Sequence, residues 1–253
     1  MPVVIKSPAE VAAMREAGRI NAEVRAILRD AVRPGVSGVE LDALAKREIA
    51  RRDGVPTFVG YGPGGRPPYP GAICYSVNEV LVHGIPDERR LEEGDIVSID
   101  LGVTYRGWVS DAAFTAPVGK VKPELVALLE ATESAMWAGI RASTAEARLG
   151  DVSHAIESKA NAYGIVRDYG GHGVGREMHE PPHILNFGKP GTGMKLKRGM
   201  VIALEPMFAL GGPATEELDD RWSVRMVDRS YSAHFEETIA ITDGEPEVLT
   251  LIA

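Results

Sequence analysis

An α/β fold (α+β), built from two similar α-α-β-β halves around one curved antiparallel sheet, is what this sequence predicts, on three observations. Two pairs of amphipathic helices recur about 110 residues apart. A turn, an apolar strand and a carboxylate recur at an offset of 105 residues. In the first copy Leu91-Glu92-Glu93-Gly94 leads through Asp95–Ile99 to Asp100; in the second Leu196-Lys197-Arg198-Gly199 leads through Met200–Leu204 to Glu205. The chain of 253 residues, 44% hydrophobic and 25% charged, is also long enough to bury a full core. Matching helices and strands at one spacing point to an internal duplication. The expected organisation is a single domain over residues 1–253 with pseudo-twofold repeats at about 7–115 and 122–241, its helices covering the convex face of the sheet.

Each element has a local reason. Ser7-Pro8-Ala9-Glu10 is a capping box with proline at the first helical position. Val11, Met14, Ile20, Val24 and Ile27 follow at helical spacing, so a helix runs to about Val32, and Pro34-Gly35 breaks it. Ser37 and Glu40 form a second box, Leu41, Leu44 and Ile49 supply its apolar stripe, and Gly54 suits its stop. In the second half Lys122 to about Ala142 is helical, with Leu125, Leu129, Met136 and Ile140 on one side. A fourth helix follows Asp151, carries Val152 and Ile156, and stops near Gly164. Among the strands, Ile96–Leu101 alternates so that Ser98 and Asp100 share one face. Tyr105-Arg106-Gly107 turns the chain back into Val109–Ala113, and Ser232–Ile241 is the last long strand.

Bulk properties exclude some classes. A net charge of −8 argues against nucleic-acid binding, which favours a basic surface. No apolar run approaches the roughly 20 residues that span a bilayer. The start, MPVVIKSPAE, lacks the apolar stretch of a secretory signal, and the single cysteine, Cys74, cannot form an internal disulfide. A cytoplasmic protein without membrane or nucleic-acid partners is the expectation.

Chemistry concentrates where acids meet apolar strands. Asp100 and Asp111 fall on neighbouring strands, and two buried carboxylates side by side repel unless a cation lies between them. Glu205 ends an apolar run just before Pro206. Glu236 and Glu237 share the last strand, where alternation lets only one face the other acids and does not choose between them. His172 stands in Gly170-Gly171-His172-Gly173-Val174-Gly175, whose glycines allow close approach to a ligand, and His179 follows seven residues later. His83 follows a strand in Val82-His83-Gly84-Ile85-Pro86. His154 and His183 read as packed or hydrogen-bonded residues, one on a helix and one among prolines, and the role of His234, on the strand of the glutamates, stays open. One imidazole with four carboxylates makes an oxygen-rich dinuclear site, and four negative charges would balance two divalent ions. Such ions lower the pKa of bound water from about 15.7 toward about 7.

These residues, in this order and spacing, resemble methionine aminopeptidase of the type I, bacterial kind, along essentially the whole chain. Val82–Pro86, Ile99-Asp100-Leu101-Gly102, Ser110-Asp111, Gly171–Gly175 with His179, Leu204-Glu205-Pro206 and Phe235-Glu236 carry the resemblance. It implies the pita-bread fold. It selects Glu236 over Glu237 and implies that Asp111 and Glu236 bridge two metals, Asp100 holding one and His172 with Glu205 the other. Cobalt, manganese, iron and zinc all suit the set, and availability decides among them. The resemblance further implies that Glu205 shuttles a proton while His83 and His179 hydrogen-bond the scissile amide and its tetrahedral intermediate. Tyr69, Cys74 and Trp222 stand where relatives line the methionine pocket, with Phe58 and Met178 at positions that hold cysteine and phenylalanine in relatives. Asn78 stands where relatives hold a structural monovalent cation. The implied partners are N-termini of nascent polypeptides, met at the ribosome by a monomeric enzyme. Because the chain opens Met1-Pro2, its own cellular copy is expected to start at Pro2.

Between Tyr61 and Tyr69, Gly62-Pro63-Gly64-Gly65-Arg66-Pro67-Pro68 is about five residues longer than in relatives, a loop at the pocket rim that is as much a neutral insertion as a determinant of substrate choice. Glu205 and Glu236 are too close in sequence for the helical insertion of type II enzymes. The rival enzyme class is an Xaa-Pro peptidase, which usually carries a large domain before its first ligand. A metal-free creatinase-like hydrolase is disfavoured because all five ligands are present, and the rival outside enzymology is a catalytically dead binding protein of the same fold, which would normally have lost ligands.

Overall fold

The computed structural model describes residues 2–252. Met1, and with it the expected processing at Met1-Pro2, lies outside the described residues, as does Ala253. Among the described residues there are four α-helices: α1 (Pro8–Ala31), α2 (Gly38–Ala50), α3 (Pro123–Ala142) and α4 (Leu149–Glu157). Both predicted capping boxes form. The backbone N–H groups of Ser7 and Ser37 each donate to the carboxylate three residues on, at 2.8 Å. The fourth helix departs from expectation at both ends, starting before Asp151 and stopping seven residues short of Gly164. Asp151 is its third residue, and its carboxylate accepts from the Arg148 backbone N–H at 2.8 Å. A single-turn reading from Asp151 misses this because the acid reaches backward.

Every strand pairing in the described residues is antiparallel. The longest hairpin joins Ile96–Tyr105 to Trp108–Pro117, and its two turn residues, Arg106 and Gly107, have φ of 50° and 76°. Positive φ at both central residues gives a turn whose twist matches that of the flanking strands. Ile20, Val24 and Leu28 of α1 pack with Ile99, Leu101 and Phe114 of this hairpin in one buried cluster. No helix in the described residues is long and apolar enough to cross a membrane.

One strand expectation is corrected. Ser232–Ile241 is two strands, Ser232–His234 and Glu237–Ala240, belonging to different sheets. The cause lies on the partner chain segment. Val201–Leu204 pairs with Glu237–Ala240, Met207–Ala209 pairs with Ser232–His234, and Glu205-Pro206 interrupts between them. Proline has no N–H to give a ladder, so both strands open at the same level. Phe235-Glu236 therefore lies opposite Glu205-Pro206, and Glu236 bridges instead to Ala113 of the hairpin.

Candidate active site

The opening in the sheets is where the acids meet. In the hairpin register Asp100 faces Ala113 and Asp111 faces Gly102, so the two aspartates lie diagonally on one face. The Asp111 backbone is fixed by Thr238, whose hydroxyl accepts from its N–H at 3.1 Å and donates to its carbonyl at 2.7 Å. Glu236 is brought beside them by its reciprocal backbone hydrogen bonds with Ala113. Ligand-type atoms of Asp111, His172 and Glu236 all lie within 4.8 Å of one another. Glu237 points the other way, into a buried ion pair with Arg25 at 2.8 Å. Alternation held here, and the break in the strand placed Glu236 on the acid side.

His172 shows what the cluster is built to receive. Its Nδ1 lies 2.8 Å from the carbonyl of Gly173, and a carbonyl only accepts, so Nδ1 carries the proton. Nε2 therefore presents a lone pair, 3.6 Å from Asp111 Oδ2 and 3.6 Å from Glu205 Oε1. The flanking glycines let this strand sit against its neighbours. A Cβ on Gly171 would lie 2.4 Å from the Ala203 carbonyl, and one on Gly173 would lie 2.3 Å from that of Pro181.

Three carboxylate oxygens, Asp100 Oδ1, Asp111 Oδ1 and Glu236 Oε1, are buried without a hydrogen-bond partner among the described residues. Burial, reinforced by the Asp111 charge, pushes the carboxyls of Asp100, Glu205 and Glu236 well above the ordinary range, and burial raises Asp111 to about 7. Unpaired buried charge of this kind is costly. Electron-rich atoms that converge without donors are satisfied by cations, and oxygen with one imidazole suits divalent ions. The residues present fit that group.

Above the acids is a cavity of about 360 Å³. Phe58, Tyr69, Cys74, Met178 and Trp222, all buried, form its apolar wall. Tyr69 is held by donating its hydroxyl to the Gly84 carbonyl at 2.7 Å, and it meets Trp222 edge-on at 5.1 Å. His83, with φ of 59°, turns its ring edge-on to Trp222 at 6.3 Å and to Tyr169 at 5.8 Å. Burial keeps His83 neutral, its pKa down to about 4. The His179 ring lies 4.3 Å from that of His172. His154 and His183 are exposed rather than packed. His234, left open by the sequence, is buried with Nε2 3.7 Å from Glu205 and 3.9 Å from Glu236.

Three lining residues were missed as functional: Tyr61, Pro63 and Arg66 also border this cavity. The only sequence signal for them was the Gly/Pro loop that they flank or occupy. Around Asn78 the polar atoms are engaged. Its Nδ2 donates to Asp95 at 2.8 Å, its Oδ1 accepts from Ile96 at 3.0 Å, and its carbonyl accepts from Ser232 at 3.0 Å.

An antiparallel α/β scaffold with a buried acid-imidazole cluster under an apolar cavity defines a metal-dependent hydrolase class. Residues 12–243 match the model of metallopeptidase family M24, and the chain belongs to that family. It is 43% identical to a methionine aminopeptidase of Clostridium perfringens, over 99% of both chains. It is also 43% identical to methionine aminopeptidase 1 of Bacillus subtilis, over 99% of this chain and 100% of that one. Among solved structures, a methionine aminopeptidase from Thermotoga maritima superposes with a TM-score of 0.95 at 40% identity, covering 99% of this chain and 100% of that chain. A prolidase from Pyrococcus furiosus, 22% identical with a TM-score of 0.77, shares the fold, and this chain spans 66% of it.

Proposed function

We propose that this chain is a dinuclear metallo-aminopeptidase that removes the initiator methionine from new polypeptides whose second residue is small. The observation that carries the reading is one cavity lined by two unlike sets of residues. Orphaned carboxylates and the His172 lone pair line it together with a sulfur-bearing aromatic wall. Asp100, Asp111, His172, Glu205 and Glu236 would hold the ions. When bound, such ions acidify water and polarise a carbonyl. Cobalt, manganese, iron and zinc all suit these ligands, and availability often decides among them.

The chain's own residues do the rest. An unbranched thioether fits the wall of Phe58, Tyr69, Cys74, Met178 and Trp222, where sulfur–aromatic contacts are favourable. Seating it there brings the scissile amide over the acids. Glu205, partly open to the cavity, receives a proton and returns it to the leaving amine. His83 and His179, neutral rings at the cavity rim, donate hydrogen bonds to the amide and to the negative oxygen that develops on it. On this reading the side chain after methionine would pass close to the acids, which restricts it to small residues. We take residues 1–253 as one catalytic domain of two pseudo-repeats, acting as a monomer on nascent N-termini in the cytoplasm.

Peptide hydrolysis by protein loaded with each metal in turn tests this. Met-Ala-Ser should be cleaved at least about tenfold more efficiently than Met-Lys or Met-Phe peptides. Preference for Ala-Pro-Ala and Leu-Pro-Ala, whatever the first residue, would replace the reading with an Xaa-Pro peptidase.

A further inference from the structure

The loop between Tyr61 and Tyr69 is tied down at its base and at its tip. At the base, the Gly60 N–H donates to the Tyr69 carbonyl, the Tyr69 N–H donates to that of Tyr61, and the Tyr61 N–H donates to that of Phe58, at 2.8 to 2.9 Å. At the tip, Arg66 pairs with Glu217 and donates to the Arg221 carbonyl. Arg221 returns a bond to the Gly65 carbonyl at 3.0 Å, and the Trp222 indole donates to the Pro67 carbonyl at 2.9 Å. Two fixed ends leave the intervening residues little freedom. The loop thus links the cavity's lining at Tyr61 and Tyr69 to the segment that carries Trp222.

Tyr61 stands at the base of that loop. Its hydroxyl lies 2.7 Å from Nδ1 of His179, and the two rings lie 5.7 Å apart at 31°. From this geometry we propose that Tyr61 is a positioning residue for His179, fixing the tautomer in which Nε2 carries the proton. A phenol donates better than it accepts, because its lone pairs are shared with the ring. An imidazole nitrogen with a free lone pair is the stronger acceptor. The hydrogen bond therefore runs from Tyr61 to Nδ1, and the remaining N–H of the neutral ring is at Nε2. That is the form His179 needs in order to donate to an amide oxygen. The inference rests on the proposed aminopeptidase reading for its catalytic meaning, but not for its geometry.

Two measurements test it. In metal-free protein labelled with nitrogen-15 in histidine, with His179→Ala assigning the signals, His179 should show an unprotonated Nδ1 and a protonated Nε2. In Tyr61→Phe that preference should relax toward a mixture of tautomers. A proton found on Nδ1 in the unaltered protein, or a tautomer unmoved by Tyr61→Phe, overturns the proposal. In turnover, Tyr61→Phe should lower kcat about tenfold, with KM and metal content changed by less than about twofold. The Tyr61→Phe, His179→Ala double variant should be no worse than His179→Ala alone, since the phenol acts only through the ring. Additive losses, or a Tyr61→Phe effect confined to KM, would make Tyr61 a wall of the pocket instead. If the unaltered protein fails to cleave Met-Ala-Ser, the functional reading fails while the tautomer measurement still decides this one.

Discussion

On the proposed function Asp111 and Glu236 matter most for metal binding, because both lie within reach of His172 and both keep an orphaned oxygen. Asp111→Ala should abolish binding of both ions, measured by metal analysis after dialysis. Retention of one ion at full stoichiometry would show that Asp111 serves a single site. Beside them, Arg25 holds the strand from behind. Its guanidinium donates to the Glu236 carbonyl at 3.1 Å, to Glu237 at 2.8 and 2.9 Å, and to the Thr250 carbonyl at 2.6 Å. Arg25→Met would leave Glu237 buried and unpaired, which typically costs about 3–5 kcal/mol. Restoring neutrality with Glu237→Gln in the same chain should recover part of that loss. Chemical denaturation of the two variants checks this, and equal stability of Arg25→Met and the unaltered protein would rule it out.

At the scale of elements, what was legible was what is local. The starts of α1 and α2 are written in Ser7–Glu10 and Ser37–Glu40, where cap and acid lie three residues apart. The placing of Asp100 and Asp111 on neighbouring strands followed from the alternating run before Tyr105-Arg106-Gly107 and the returning strand after it. The split of Ser232–Ile241 could not be read, because it depends on Pro206 in a strand that pairs with it only after folding. Tyr61 was passed over for the same reason, since its partner His179 lies 118 residues away. Gly18 is a further case. In an isolated helix Gly→Ala gains about 1 kcal/mol. Here a Cβ would lie 2.1 Å from the Leu249 carbonyl oxygen, a backbone atom of the chain's last segment. Overpacking of that kind costs about 1–3 kcal/mol, so Gly18→Ala should be destabilising on balance. A rise in the melting temperature would mean that the 249–252 segment moves aside at little cost.

For the whole molecule the acid cluster couples folding, pH and metal, and the sign follows from two opposing sets of groups. Burial raises Asp111 to about 7 and lifts Asp100, Glu205 and Glu236 well above the ordinary range, while it lowers His172 and brings His83 to about 4 and His234 to about 3. Without metal, the folded carboxyls hold protons that the unfolded chain has lost, so stability falls as pH rises above the ordinary carboxylate range. The lowered histidines act oppositely: the unfolded chain holds their protons, so stability rises with pH until about 6.5, the ordinary histidine value. The two sets offset each other below that point. Above it the histidines are neutral in both states and only the carboxyls still contribute. Metal-free protein should therefore lose stability as pH rises above about 6.5. Bound divalent ions favour the ionised acids and should flatten that slope. Metal binding near neutral pH must then release protons, which calorimetry in buffers of different ionisation enthalpy detects directly. A metal-free protein whose melting temperature is level across that range, or metal binding without proton release, would mean that the acids are already ionised and paired by some other means.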